Sequence, residues 1–210
     1  MSETRLRDEI VAMGESLYRR GYAHGSSGNI SARIDDGILV TPTNSCLGRL
    51  DPARISKISA DGRLIGGDRP SKEAFLHLSM YAKRPQSHAI VHLHCTNCVA
   101  VSCMCHDDPS DVLPPITAYY VMKIGKLPLI PYFPPGDHAL ADAVAAKAKS
   151  HNAVLLANHG PVVAGSTLED AVYSAEELEE TAKLFLLLHG RETRFLGAAQ
   201  VRELEARFSS

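Results

Sequence analysis

The sequence predicts a layered α/β sandwich on a sheet that is not all parallel, and three observations carry this expectation. Apolar residues recur at helical spacing in some segments and alternate or run continuously in others, so helices and strands share the chain. Two strand pairs are joined by tight Asp/Gly turns, which make antiparallel hairpins and disfavour a plain Rossmann fold. The 210 residues suffice for one well-covered core rather than two ordinary domains, so a single domain over residues 1–210 is expected.

In chain order, Leu6, Ile10, Met13 and Leu17 form one helical stripe that Gly21 ends. Residues 30–34 and 38–41 read as strands joined by Asp35-Asp36-Gly37, and a second hairpin surrounds Asp61-Gly62. A helix is expected from Ser71 as N-cap to Lys83, closed by Pro85. Residues 89–94 begin β-rich and then alternate, which places polar chemistry at a strand end. Asp137 is read as the cap of an alanine-rich helix. Residues 153–157 and 161–164 are strands interrupted by Asn158-His159-Gly160. Thr167 and Asp170 resemble a capping box opening a long helix that carries Val172, Ala175, Leu178, Ala182 and Phe185.

Composition excludes several classes. Apolar residues make up 45% and charged residues 22%, which rules out a disordered, collagen-like or coiled-coil chain. The net charge is -2 with no basic block, so a nucleic-acid partner is not expected. No apolar run reaches the roughly 20 residues of a membrane helix, and the first 20 residues mix both charge signs, unlike a secretory signal. Cysteines number five, four of them within residues 95–105. That fits a reducing cytoplasm better than a disulfide framework.

His92 and His94 are the most informative pair. Residues two apart on a strand face one side, so both imidazoles can converge on a cation such as zinc. Two hydrogen-bonded, partly buried histidines would give the same pattern. His159, held in a tight turn between apolar strands, strengthens the metal reading, although an ordinary turn histidine also fits there. Glu73 is the fourth candidate. A carboxylate early in a helix suits the dipole, and facing a metal it could be a ligand at rest and a proton carrier in turnover. Cys95 and Cys98 make a C-x-x-C with no second pair, in an apolar stretch that reads as packing. A redox role is the alternative, and it would make activity depend on both thiols.

Three hydroxyl-rich pieces, Ser26-Ser27-Gly28-Asn29, Thr41-Pro42-Thr43-Asn44 and Ser71-Lys72, suit an anion if the fold gathers them. Singly, each is turn chemistry.

Together, Gly28-Asn29-Ile30-Ser31, Thr41-Pro42-Thr43, Pro70-Ser71-Lys72-Glu73, Arg84-Pro85, His92-Leu93-His94 and Asn158-His159-Gly160 resemble the ordered motifs of the class II aldolase and adducin superfamily. The resemblance covers residues 5–190. Its nearest branch decarboxylates 3-oxo-tetronate 4-phosphate, and residues 39–48, 113–120 and 155–165 carry that likeness. The resemblance implies a three-layer α/β/α sandwich with a mixed, mostly antiparallel sheet, and a cyclic homotetramer with sites at subunit interfaces. It implies one Zn2+ per chain, or another divalent ion, on His92, His94, His159 and Glu73. Gly28, Asn29, Thr43, Asn44, Ser71 and Lys72 fall near the phosphate-binding positions, with Asn44 where the aldolases usually carry glycine.

The implied substrate is a phosphorylated sugar acid that loses carbon dioxide, with Glu73 returning a proton to C2 to give dihydroxyacetone phosphate. A sugar-phosphate aldolase is the alternative, since the metal site alone does not separate the two reactions. An adducin-like binding module would not need all four ligand-type residues. The resemblance also makes Tyr119 a candidate acid reaching into a neighbouring subunit, with Tyr120 as the alternative. Adjacent aromatics equally suit interface or core packing.

Overall fold

The computed structural model describes residues 2–134 and 136–208; the other positions of the expected 1–210 domain lie outside the described residues. The first helix, α1 (Glu3–Arg19), is capped by Ser2 and followed by Gly21 at φ 82°. Two strands, β1 (Asn29–Ile34) and β2 (Gly37–Val40), form the expected hairpin with Ile34 opposite Gly37. A second pair, β3 (Ser56–Ile58) and β4 (Leu64–Gly66), surrounds Asp61-Gly62 as expected.

Helix α2 (Ala74–Lys83) leads to β5 (Ala89–His92), followed by short helices α3 (Thr96–Ser102) and α4 (Ala118–Lys123). The two-residue strand β6 (Leu129–Ile130), helix α5 (Ala139–Ala148) and strands β7 (Ala153–Leu156) and β8 (Gly160–Gly165) come next. The long α6 (Leu168–Leu188) and α7 (Ala198–Phe208) complete the described chain.

One sheet runs in the order β4-β3-β2-β1-β5-β8-β7-β6, antiparallel throughout except for the parallel pair β6 and β7. Strand alternation divides the core in two. Ile30, Ala32, Ala89, Val91, Leu155 and Val163 face α1, α3 and α6, while Ile90, Val154, Val162 and Ala164 face α2 and α5. The expected three-layer α/β/α sandwich is therefore observed. Among the described residues, no helix is long and apolar enough to cross a membrane.

Three local expectations are corrected. Ser71 does not cap α2, because its backbone N–H bonds to the Thr41 carbonyl (3.1 Å) and Pro70 bridges Pro42. Those ties to the end of β2 keep the chain extended and delay the helix, so Glu73 occupies the N-cap position. His138 is the N-cap residue of α5, although the Asp137 carboxylate still accepts the Ala139 N–H at 2.9 Å. At α6 the Thr167 hydroxyl accepts the Asp170 N–H (3.0 Å), but Asp170 reaches back to Ser166 N–H rather than to the cap residue itself.

Candidate metal centre

β5 carries Ile90 toward α2, and strict alternation turns His92 to that same face. Asn29 of β1 is its direct cross-strand partner, and Val162 of β8 flanks it on the other side. His94 lies two residues beyond the strand end, before α3, and still meets His92. His159 sits in the β7–β8 turn, where Asn158 takes φ 55° and the His159 N–H bonds to the Leu156 carbonyl at 3.1 Å. Gly160 follows at φ 154°, and a Cβ there would run into the Leu93 carbonyl. That close approach brings the turn against the segment holding His94.

The three Nε2 atoms form a triangle with sides of 3.0, 3.0 and 3.3 Å. Glu73 completes the cluster, with Oε1 3.1 Å from His159 Nε2 and Oε2 3.4 Å from His92 Nε2. The His92 Nδ1–H donates to the Pro161 carbonyl at 2.8 Å, which leaves its Nε2 as a bare lone pair. Three ring nitrogens in mutual contact cannot satisfy one another by hydrogen bonds, whereas one central cation satisfies them all. Donors held at about 2.0–2.1 Å on a tetrahedral ion lie about 3.3 Å apart, close to the 3.0–3.4 Å separations seen. The donor set therefore fits a divalent ion.

Electrostatics agree. Burial, reinforced by neighbouring imidazoles, lowers the His94 ring to about 3, and burial chiefly lowers His92, so both present lone pairs at neutral pH. Burial works against ionisation of Glu73, but His92, His159 and the Asn29 amide outweigh it and hold the carboxyl well below the usual range.

The fold also gathers the three hydroxyl-rich pieces at this sheet end. Thr43 N–H bonds to the Arg69 carbonyl (2.9 Å), and the Thr41 hydroxyl accepts the Ile30 N–H (3.2 Å). Ser71 Oγ accepts the Glu73 N–H at 3.3 Å. Gly28, at φ 78°, packs where a Cβ would stand 2.9 Å from the His92 carbonyl. Asn44 takes φ 57°, a left-handed conformation that asparagine tolerates in place of glycine. Asn29 does not point freely into this loop region; its amide donates to Glu73 Oε2 at 2.8 Å. Lys72 is exposed in the turn just before Glu73.

A cavity of 490 Å³ opens over His94 and His159, walled by His24, Thr96, Tyr132 and Phe133, none of which the sequence reading singled out. A larger one, 740 Å³, lies at the opposite end of β1 beside Asp36, His88 and Ser166, away from the cluster, and holds no comparable ligand set. Tyr120 is fully buried with its hydroxyl 3.4 Å from the Leu113 carbonyl, and burial pushes its pKa far up. Tyr119 is 66% exposed on α4.

Cys95, Cys98 and Glu179 form a second, buried group. The Glu179 carboxylate already accepts Asn97 N–H, Asn97 Nδ2 and Cys98 N–H at 2.7–2.9 Å, so it caps the start of α3 and has little left for an ion. Burial and contact with Glu179 push the Cys98 thiol up, which suits packing.

Comparison with known proteins places these residues in context. The profile of the Class II Aldolase and Adducin N-terminal domain matches residues 8–186. A 3-oxo-tetronate 4-phosphate decarboxylase of Haemophilus influenzae is 49% identical over 208 residues, 99% of both chains. The L-fuculose phosphate aldolase of the same organism is 32% identical, covering 99% of this chain and 95% of that one. The crystal structure of YgbL, a putative aldolase/epimerase/decarboxylase from Klebsiella pneumoniae, superposes with a TM-score of 0.95 at 48% identity over 97% of this chain and 99% of that one. With its motifs, sheet order and ligand cluster in that setting, the chain belongs to the class II aldolase and adducin family.

Proposed function

We propose that the protein is a metal-dependent lyase that decarboxylates 3-oxo-tetronate 4-phosphate to dihydroxyacetone phosphate and carbon dioxide. The observation that carries this reading is the 49% identity along essentially the whole chain to a decarboxylase of that name, against 32% to the fuculose phosphate aldolase. The aldolase reaction is the weaker reading of the same site.

The substrate bears a carboxylate at C1, a hydroxyl at C2, a ketone at C3 and phosphate at C4. Decarboxylation breaks the C1–C2 bond and sends its electron pair toward the C3 carbonyl. His92, His94, His159 and Glu73 would hold a divalent cation, which we take to be zinc from the three-imidazole, one-carboxylate donor set, and it would supply Lewis-acid stabilisation of the charge that develops there. The net reaction takes one proton from solvent. We assign the relay of that proton to C2 to Glu73, which is ionised at rest and touches both His92 and His159. His92 is held in one tautomer by the Pro161 carbonyl, so its ligand nitrogen stays bare throughout.

Gly28, Asn29, Thr43, Asn44, Ser71 and Lys72 are assigned to the C4 phosphate. Support comes from the hydrogen bonds that lace these segments together beside Glu73. Contacts remote from the reacting bond then fix its orientation. The 490 Å³ cavity over His94 and His159 is of ordinary ligand-site size. We further assign Tyr119, exposed in the single chain, to a neighbouring subunit's site within a homotetramer of single-domain chains. Five free cysteines, two of them exposed, suit a cytoplasmic location.

Incubation of the zinc-loaded protein with 3-oxo-tetronate 4-phosphate tests the reading. Carbon dioxide and dihydroxyacetone phosphate should appear in equal amounts. Release of an aldehyde from a sugar 1-phosphate, with no carbon dioxide from the keto acid, would transfer the assignment to the aldolase.

A further inference from the structure

Behind Glu73 lies a chain of buried polar groups whose hydrogens can be placed one by one. The Asn29 Nδ2 donates to Glu73 Oε2 at 2.8 Å, because an ionised carboxylate only accepts. Asn29 Oδ1 therefore faces His77 Nε2, 2.5 Å away, and an amide oxygen there requires N–H on the ring. The ring is neutral, since burial lowers its pKa to about 3. Nδ1 is then bare and accepts the Ser31 hydroxyl at 2.6 Å. With that hydrogen spent on His77, Ser31 Oγ accepts from the Tyr81 hydroxyl at 3.0 Å, closer than the His88 carbonyl, which lies 3.5 Å from the same hydroxyl. Every link donates toward Glu73, and none of the four residues behind it is more than 4% exposed, so solvent offers no substitute partner.

We propose that His77 is a positioning residue for the reaction: fixed as the Nε2–H tautomer by Ser31 and Tyr81, it locks the Asn29 amide with its NH2 toward Glu73 and so holds that carboxylate against the three imidazoles. An asparagine amide has two orientations of nearly equal shape, and only one offers a donor to Glu73. Without the His77 N–H, the flipped amide would set Oδ1 against the carboxylate and push it out of register. Asn29 is also assigned to the phosphate site, so the same lock orients its second amide hydrogen. The inference rests on the reading of Glu73 as ligand and proton carrier.

Three measurements on the full-length protein test it. In the wild type, ¹⁵N NMR of the imidazoles, with the His77 signals identified by their loss in His77→Gln, should find Nε2 protonated and Nδ1 bare. This result does not depend on substrate. In His77→Leu, kcat and zinc affinity measured by chelator competition should each fall about 10- to 100-fold. His77→Gln, whose amide can still donate to Asn29, should recover most of both at a melting temperature no higher than that of the leucine variant. A protonated Nδ1 in the wild type overturns the proposal, and decides it alone if His77→Leu fails to fold. So does unchanged kcat and zinc affinity in a folded His77→Leu, or a glutamine variant as impaired as leucine, which would reduce His77 to packing. Failure of the wild type to decarboxylate the keto acid would sink the function instead, leaving the tautomer and zinc measurements to judge His77.

Discussion

Glu73→Gln separates the charge and proton of this side chain from its shape. The amide must put hydrogens on one of two oxygens' places. At Oε2 its NH2 would meet the Asn29 NH2 donor 2.8 Å away, donor against donor. At Oε1 it would instead point toward His159 Nε2 at 3.1 Å while its oxygen keeps the Asn29 hydrogen bond. The second orientation disturbs the fold least, so the variant should fold; with an amide in place of a ligand carboxylate it should hold the metal more weakly, and with metal supplied in excess it should bind a phosphorylated substrate analogue within about threefold of the wild type. It cannot carry the proton. Loss of a positioned acid or base typically costs about 10²–10⁴ in rate, or roughly 3–5 kcal/mol of transition-state stabilisation. Carbon dioxide release followed continuously, with circular dichroism and isothermal titration of the analogue alongside, reads all three quantities. A folded Glu73→Gln protein with kcat within about threefold of wild type would refute the role of Glu73.

Gly160→Ala places a Cβ on the Leu93 carbonyl at φ 154°, so it should cost upwards of about 1–3 kcal/mol in denaturant melts and loosen metal binding, because the same turn holds His159. Converting both Cys95 and Cys98 to alanine should lower stability by about 1–3 kcal/mol through lost core packing and leave kcat unchanged; a dead but folded variant would revive a thiol role. The metal-free protein should lose stability on acidification. His77 has a folded pKa of about 3, below its unfolded value of 6.5, so between these pH values the unfolded chain binds the extra proton. Its share alone is about 2 kcal/mol between about pH 6.5 and pH 5, and urea melts across that range should detect it.

Much of the site was legible because strand periodicity is simple. His94 stands two positions after His92, and the turn signal around His159 marked a sheet end. The start of α2 was not legible: a serine before an apolar run normally caps a helix, but the Ser71 backbone is claimed by Thr41, a contact thirty residues away in sequence. Helix α3 went unseen because its seven residues follow the strand without a local capping side chain, and its start is capped by Glu179 from α6. Strand β6 has two residues and a parallel partner, too little pattern to register. His77 did carry a signal: it stands four residues after Glu73, on the same helical face. Its meaning depended on β1 packing Asn29 and Ser31 beneath that face, which only the fold decides.

The metal-to-chain ratio of the purified, dialysed protein bears most directly on the whole account. It should be close to one divalent ion per chain, and His94→Ala, which removes one corner of the Nε2 triangle, should lose ion and turnover together. Wild-type protein that decarboxylates its substrate with no bound metal would contradict the account.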